Sequence, residues 1–397
     1  MSEANAAGKR RTRRIRHTGR GSQVLIYLGK QLRFFINEND WKVLPMAAVI
    51  AGLVAMVIRK RFFVNMEGSL IGAFALACVA IWNGCFNSIQ AVCRERAIIK
   101  REHRSGMHIS SYVLAHMIYQ FLLCAAQTVL TMFVLRQLGV PIPRGAGSGI
   151  ITSWMILDIG LTMFLISYAA DMLSLFLSSI SRTTTGAMTL MPFILIFQLV
   201  FSGGVIPLPE WSRPLSNFTI SSYGIRALAA QSGYNEQPMT SVWNTVSNMR
   251  DSEIGGTVTL GQLLDALDSS AVQSRRDEDV IAALHLGELI PEAKEALDAH
   301  PVTVGEITDF LRTSEKLQAN RDQSFELHMT VGEVMEILGE DNVKAFVQQK
   351  TAAAAYKPEY DRTTANIVKN WIMLGIFILV FAALSTIVLE LIDKDKR

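Results

Sequence analysis

A short charged segment between two apolar stretches carries the side chains best suited to polar chemistry. Its acidic and basic members are Glu95, Arg96, Lys100, Arg101, Glu102, His103 and Arg104. Charges spaced this closely form ion pairs and offer a charged surface to a partner, although a plain solvated flank has the same pattern. The sequence contains no G-x-x-x-x-G-K-[ST] phosphate loop, no H-E-x-x-H zinc motif and no G-x-S-x-G nucleophile elbow. We therefore expect no enzyme activity, cofactor or metal in this chain.

Two acidic residues, Asp158 and Asp171, lie within or at the end of another apolar stretch. An ionised carboxylate is costly in a membrane interior, so such a residue usually faces a partner or water. The functional hypothesis is that Asp158 contacts a cationic cargo or relays protons, with Asp171 a weaker candidate nearer the interface. The alternative is that both are paired or protonated structural groups.

The composition places the chain in the membrane class, because half of its residues are hydrophobic, only 18% are charged and the mean hydropathy is +0.27. Six stretches are long and apolar enough to cross a bilayer as helices. They are residues 42–58, 68–92, 112–136, 150–175, 185–206 and 366–391. No stretch begins early enough for a secretory signal peptide.

Lysine and arginine residues indicate the orientation of these spans. Basic residues crowd the leader at 1–21 and the loop between spans two and three, which predicts that both are cytoplasmic. Arg59, Lys60 and Arg61 oppose this placement, and we interpret them as side chains that reach back to the interface. The sequence thus predicts a multi-pass protein of the plasma (cytoplasmic) membrane with both termini inside. The basic leader is expected to contact anionic lipid and no nucleic acid.

The segment between spans five and six differs sharply from the rest. Residues 232–365 contain 23 acidic and 11 basic residues, whereas the remainder contains 12 and 27. A Thr precedes Gln or Glu by three positions at Thr259, Thr303 and Thr330, which is the capping-box pattern of helix starts. We expect a mainly helical extracytoplasmic domain, in which this repeated pattern either caps helices or recognises an extracellular partner.

The expected fold is therefore an all-α membrane protein. Its predicted parts are a basic leader (1–21), an amphipathic connecting helix on the inner membrane face (22–41), spans one to five (42–231), the acidic domain (232–365), and span six with a short tail (366–397).

Two motifs resemble the transmembrane half of G-subfamily ABC exporters, the white and multidrug-resistance type. The first runs from Asn83-Gly84-Cys85-Phe86 through Glu95 and Arg101-Glu102-His103-Arg104-Ser105-Gly106 to Ser110-Ser111-Tyr112. The second joins Phe201-Ser202-Gly203-Gly204-Val205-Ile206-Pro207 to Ser221-Ser222-Tyr223-Gly224-Ile225-Arg226. The resemblance covers roughly residues 22–232 and 366–391.

The resemblance implies an ABC-2 type permease in which two copies, identical or related, surround a central path. A separate ATPase subunit would bind ATP and Mg²⁺ and push on a coupling helix at 95–108, which contains the seven charged residues above. A re-entrant segment would occupy 207–228. By analogy, the path would be lined by Asn83, Phe86, Asn87, Ile196, Phe197 and Phe201, besides Asp158, and would suit amphipathic or apolar cargo. For any one of these residues, helix packing is an equally good explanation.

A rival from another class is a membrane-anchored receptor or scaffold. In that case the extracytoplasmic domain binds a ligand or partner, and the spans only hold it in the membrane. Co-purification of an ATPase through 95–108 would favour the transporter. A bound peptide or wall ligand without an ATPase would favour the receptor.

Overall fold

The computed structural model describes residues 19–37, 40–259 and 324–391, together with the single residues 262, 313 and 322. Among these, the residues between 19 and 64, 68 and 234, and 358 and 391 belong to one compact unit. Residues 65–67, 235–259 and 324–357 belong to a second unit.

The described part of the chain is mostly helical. The helices that build the first unit are α1 (Arg20–Asn37), α2 (Val43–Ile58), α3 (Met66–Ser88), α4 (Ala91–Arg104), α5 (Ile109–Gln137), α6 (Met155–Ile180), α7 (Thr184–Val200), α8 (Ile220–Gln231) and α12 (Thr364–Glu390). Short 3-10 helices lie at Asp40–Lys42, Glu210–Phe218 and Pro358–Tyr360. Five of the helical segments are long and apolar enough to cross a membrane: α2 with the preceding turn, α3 with α4, α5, α6 and α12.

Among the six predicted spans, the one at 185–206 differs most from the helix found in the structure. Its helix, α7, has 17 residues and stops at Val200. The chain then leaves helical geometry, and Gly203 takes a left-handed conformation with φ 69° that side chains other than glycine disfavour. At 1.5 Å per residue, α7 is about 26 Å long, slightly short of a ~30 Å hydrocarbon core. The predicted re-entrant segment at 207–228 contains the 3-10 helix and most of α8.

The most buried candidate span is α6. In an 18-residue apolar stretch of α6, 72% of the residues are buried, whereas the buried share of the corresponding stretch of α2 with its preceding turn is 22%. Helix α6 is therefore the central helix of the first unit. Helix α3 approaches it closely at Gly84, where a Cβ atom would overlap the main-chain oxygen of Ser167. Thr162 of α6 joins two more helices, because Gln231 of α8 donates to its hydroxyl at 2.8 Å and the Trp371 indole of α12 does so at 2.8 Å.

The second unit combines short helices with a two-stranded sheet. Its elements are α9 (Ser241–Asn248), β1 (Glu253–Thr259), β2 (Ser324–Thr330), α10 (Val331–Leu338) and α11 (Glu340–Ala355), and the strands pair antiparallel with Glu253 opposite Thr330. The capping box predicted at Thr330 is confirmed, since Thr330 and Glu333 exchange hydrogen bonds at the start of α10. Thr259 and Gln262 exchange the same pair of bonds. The third predicted box, at Thr303, lies outside the described residues. The two strands were not predicted.

Candidate functional site

Helix α4 contains the seven charged residues that the sequence predicts as a coupling surface. It follows α3 after a two-residue turn at Ile89 and Gln90 and ends at Arg104, four residues before the predicted end at 108. The chain then turns at Gly106, whose φ of 103° favours glycine. The element is therefore a short helix attached almost directly to a candidate span.

Helix α1 holds α4 from one side. Lys30 Nζ lies 2.8 Å from Glu95 Oε2, and the Glu95 side chain is only 6% exposed. The Tyr27 hydroxyl donates to Glu102 at 2.9 Å. Burial and, after it, this bond to the Glu102 carboxylate raise the pKa of Tyr27, so the phenol stays a donor. Gln23 accepts from the backbone N–H of His108 at 3.0 Å, just beyond α4.

The end of α6 holds the helix from another side. Arg96 donates to the main-chain oxygens of Ser179 at 2.8 Å and Ser181 at 3.2 Å. His103 contacts the main-chain oxygen of Met107 through Nδ1 at 3.1 Å. Of the seven predicted residues, Glu95, Arg96 and Glu102 thus bond to neighbouring elements of the same chain, and Lys100 and His103 are half-buried.

The exposed residues of α4 form one stripe along the helix. They are Arg94, Ala97, Ile98, Arg101 and Arg104. Their spacing of three and four residues places them on a single face, opposite the buried Val92, Glu95 and Ile99. The surface that α4 offers to a partner is therefore basic with a small apolar centre, and two of the predicted contact residues, Arg101 and Arg104, lie on it.

The predicted path residues do not form one site in this chain. Phe86 and Asn87 line a cavity of about 220 Å³ together with residues of α1, α2, α4, α5 and α7, whereas Asn83, Ile196, Phe197, Phe201 and Asp158 lie outside it. Asn87 and Gln127 of α5 exchange two hydrogen bonds, at 2.9 and 3.1 Å. Asn87 therefore joins two helices, as the packing alternative proposed.

The aromatic candidates lie on outer surfaces of the first unit. Phe86 is 42% exposed and packs on Trp82, with ring centroids 5.3 Å apart. Ile196 is 59% exposed, and the half-buried Phe197 and Phe201 lie near it with centroids 5.1 Å apart. These two apolar surfaces, on α3 and on α7 with the residue that follows it, would meet lipid or a second protein surface in a membrane.

Asp158 is a loop anchor in this structure. It lies in the first turn of α6 and is fully buried. Its Oδ2 accepts from the backbone N–H groups of Ile150 and Ile151 at 2.6 and 3.0 Å, and its Oδ1 accepts from Thr152 at 2.9 Å. Three donors and a helix N-terminus stabilise the carboxylate without any cargo, which agrees with the structural alternative.

Asp171 lies within α6, nine residues before its last residue, Ile180. Its Oδ1 accepts from Ser88, the last residue of α3, at 2.5 Å, and it is fully buried. His116 and Gln120 of α5 complete this polar cluster around the Ser88 hydroxyl. Sequence reasoning missed His116 and Gln120. The available signal was a row of polar residues at helical spacing, His116, Gln120 and Gln127, inside an otherwise apolar span.

Comparison with known proteins identifies the family. Residues 33–231, half of the chain, match the family model described as ABC-2 type transporter. The chain belongs to this family. Over 201 residues this permease is also 30% identical to the ABC transporter ATP-binding/permease protein Rv1747 of Mycobacterium tuberculosis (strain ATCC 25618 / H37Rv). That match covers 48% of the permease and 23% of the relative, so the chain spans less than a quarter of the relative's length.

The match confirms the ABC-2 permease assignment that the sequence motifs suggested. Together with the five apolar helices it makes the chain a membrane-embedded, multi-pass transport permease. The matched family is the membrane part of ABC transporters, as distinct from their ATPase part.

Proposed function

We propose that this permease is the transport subunit of an ATP-driven exporter and that α4 is its coupling helix. A separate ATPase subunit, which binds ATP and Mg²⁺, would push on α4 from the cytoplasm. Two permease copies, identical or related, would enclose the path. This proposal places α7 as a further span, both termini in the cytoplasm and the second unit outside, as the basic flanks favour.

The observation that carries the proposal is the attachment of α4. A helix can pass on a push only if it moves together with the spans, and α4 is tied to α1 by the Lys30–Glu95 and Tyr27–Glu102 contacts and to α6 by Arg96. The Lys30–Glu95 pair is mostly buried, and breaking such a pair typically costs about 3–5 kcal/mol. The contacts therefore favour α4 moving as one body with α1 and α6, a rigid two-state element.

The sequence-based hypothesis treated all seven charged residues as partner contacts, and we propose instead two groups with different roles. Glu95, Arg96 and Glu102 act as positioning residues that hold the helix. The exposed stripe, with Arg101 near its centre, makes the contact with the ATPase. Ile98 on the same stripe offers an apolar anchor for a shallow groove on the partner.

The test is to purify the full chain from its native membranes and to measure both the recovered ATPase subunit and ATP-dependent transport. We expect Arg101→Glu to reduce ATPase recovery at least tenfold, because it reverses the charge in the centre of the stripe. Arg61→Glu is the matched control, since Arg61 is equally basic and exposed but lies in the loop after α2. It should recover the ATPase as the unmodified chain does.

Two outcomes contradict the coupling of an ATPase through α4. One is purification of the intact chain with a ligand on its second unit and no ATPase, which would favour the receptor alternative. The other is full ATPase recovery with Arg101→Glu. Labelling of a Ser105→Cys variant from outside intact cells would contradict the orientation.

The apolar surfaces of α3 and α7 support an amphipathic or apolar cargo. In a dimer they would face the partner copy, so that Phe86, Ile196 and Phe197 line a shared path. In this proposal the second unit belongs mainly to the acidic segment 232–365, lies outside the membrane and offers a surface to an extracellular partner.

A further inference from the structure

The polar cluster of Ser88, His116, Gln120 and Asp171 has a hydrogen-bond arrangement that a packing role does not require. The Ser88 hydroxyl donates to Asp171 Oδ1 at 2.5 Å and lies 2.9 Å from His116 Nε2. Gln120 Nε2 donates to the same hydroxyl at 3.0 Å. One serine oxygen thus connects a carboxyl group to an imidazole.

Three atoms of this cluster are buried without a hydrogen-bond partner among the described residues. They are Asp171 Oδ2, His116 Nδ1 and Gln120 Oε1. A carboxylate with a single hydrogen bond is a costly anion inside an apolar helix bundle, and an unpaired imidazolium is equally costly. One proton shared between Asp171 and His116 removes this cost, because it makes the pair neutral overall.

Such a proton can occupy either side while both hydrogen bonds remain formed, because only the donor and the acceptor of each bond exchange roles. In one state His116 is an imidazolium, its Nε2–H donates to Ser88, and the Ser88 O–H donates to the Asp171 carboxylate. When the Nε2–H proton moves to Ser88 Oγ, the original Ser88 proton moves to Asp171 Oδ1. His116 is then neutral and accepts from Ser88, while the Asp171 carboxyl group donates to Ser88. One N–H and one O–H bond break, and two O–H bonds form.

The cavity described above gives the cluster a route to water. His116 and Gln120 line it, and Gln31, Gln90 and Arg94 make part of its wall polar. Its volume of about 220 Å³ is sufficient for several water molecules. Water that enters this cavity reaches the edge of the cluster at His116 and Gln120, where the shared proton can be exchanged.

We propose that His116, Ser88 and Asp171 form a binding site for one exchangeable proton, supplied through the cavity beside α4. Ser88 is the last residue of α3, so the direction of its hydrogen bonds changes with the proton at the junction between α3 and α4. The site makes this junction sensitive to pH. The proposal does not depend on transport or on an ATPase partner.

Other titratable groups around the site do not compete for this proton near neutral pH. Cys85, Cys124, Tyr119 and Tyr168 interact electrostatically with Asp171, and thiols and phenols ordinarily remain protonated there. The charged groups that line the cavity are Asp40, Arg94 and Glu95, and Glu95 is paired with Lys30. Asp40 and Arg94 carry opposite charges, so together they add no net charge to the cavity wall.

The test is infrared difference spectroscopy of the full chain in lipid nanodiscs. The pH is varied through the range of about 5 to 8, in which an ordinary histidine changes charge, and beyond it on both sides. Asp171→Asn should remove one carboxylic-acid C=O band. Asp158→Asn is the matched control, because Asp158 is equally buried but has three donors, and it should leave that band in place. In the unmodified chain the band should titrate in two steps, as expected for a proton shared by two groups.

His116→Gln should convert the two steps to one, because the proton then has only Asp171 to occupy. In this variant the Asp171 proton should also be lost at a lower pH than the shared proton of the unmodified chain. A proton with one site is held less tightly than a proton with two. Ser88→Ala provides a second variant: in that background His116→Gln should change the Asp171 band much less. All variants must elute as monodisperse protein.

The proposal is overturned if no band assignable to Asp171 exists at any pH. It is also overturned if the band titrates identically with and without His116. Neither result bears on whether the chain transports cargo, so failure here is distinguishable from failure of the proposed function.

Discussion

Replacing Asp158 with Asn discriminates between a structural carboxylate and a group that handles cargo. The Asp158 carboxylate accepts three backbone N–H bonds from the loop before α6. An asparagine oxygen can still accept from Ile150 and Ile151, but its amide group then faces the Thr152 N–H. That donor loses its partner inside the protein.

The cost follows from these contacts. An unsatisfied buried N–H costs about 1–3 kcal/mol, and hydrogen bonds to a neutral acceptor are each about 1 kcal/mol weaker than those to a charged one. Loss of the negative charge at the start of α6 adds about 0.3–1 kcal/mol. We expect a total of about 3–6 kcal/mol, which lowers the melting temperature by about 6–24 °C for a unit of this size.

The assay is thermal unfolding followed with a thiol-reactive dye. It suits this permease because Cys85, Cys93 and Cys124 are buried free thiols that react as the helices separate. Asp251→Asn is the control, because Asp251 is exposed and its substitution should change stability by less than about 0.5 kcal/mol. Transport per folded molecule should be unchanged. A melting temperature equal to that of the unmodified chain, combined with altered transport, would refute the structural reasoning and restore the cargo role.

Two further substitutions test the packing of α3 and the capping of α10. Gly84→Ala should cost about 1–3 kcal/mol in the same dye assay, because the new methyl group overlaps the main-chain oxygen of Ser167, whereas Gly375→Ala meets nothing within 4 Å and should be neutral or stabilising. Equal effects of the two would contradict the close approach of α3 to α6. Thr330→Ala should cost about 1 kcal/mol and speed amide hydrogen exchange in α10, while Thr351→Ala in α11 should leave α10 unchanged. Unaltered exchange in α10 would show that the capping box contributes nothing.

Much of the helix arrangement could be predicted from the sequence, because long apolar runs fix helices locally. The helices at 43–58, 66–88, 109–137, 155–180 and 364–390 follow the predicted spans with shifts of a few residues at their ends. The largest shift of a helix start occurs where a side-chain contact decides the boundary. Helix α6 begins five residues later than its predicted span, after the loop that Asp158 holds. The Thr330 capping box was predictable because both of its bonds lie within four consecutive residues.

The site was predicted less completely, because a residue's role depends on neighbours that are distant in the sequence. Charge density alone selected seven residues of α4 as partner contacts. Only the packing of α1 and α6 separates Glu95, Arg96 and Glu102, which hold the helix, from the exposed stripe around Arg101. Strands β1 and β2 went unpredicted for a similar reason, since Glu253 pairs with Thr330 across more than 70 residues.

The sequence by itself determined that this chain is a membrane protein of apolar helices with a charged helix after the second span. Those properties depend on local hydropathy, local charge and short motifs. The tertiary structure alone decided which buried polar groups meet. Ser88, His116 and Asp171 come from three helices, and their common hydroxyl depends on how closely α3, α5 and α6 pack, which no local pattern specifies.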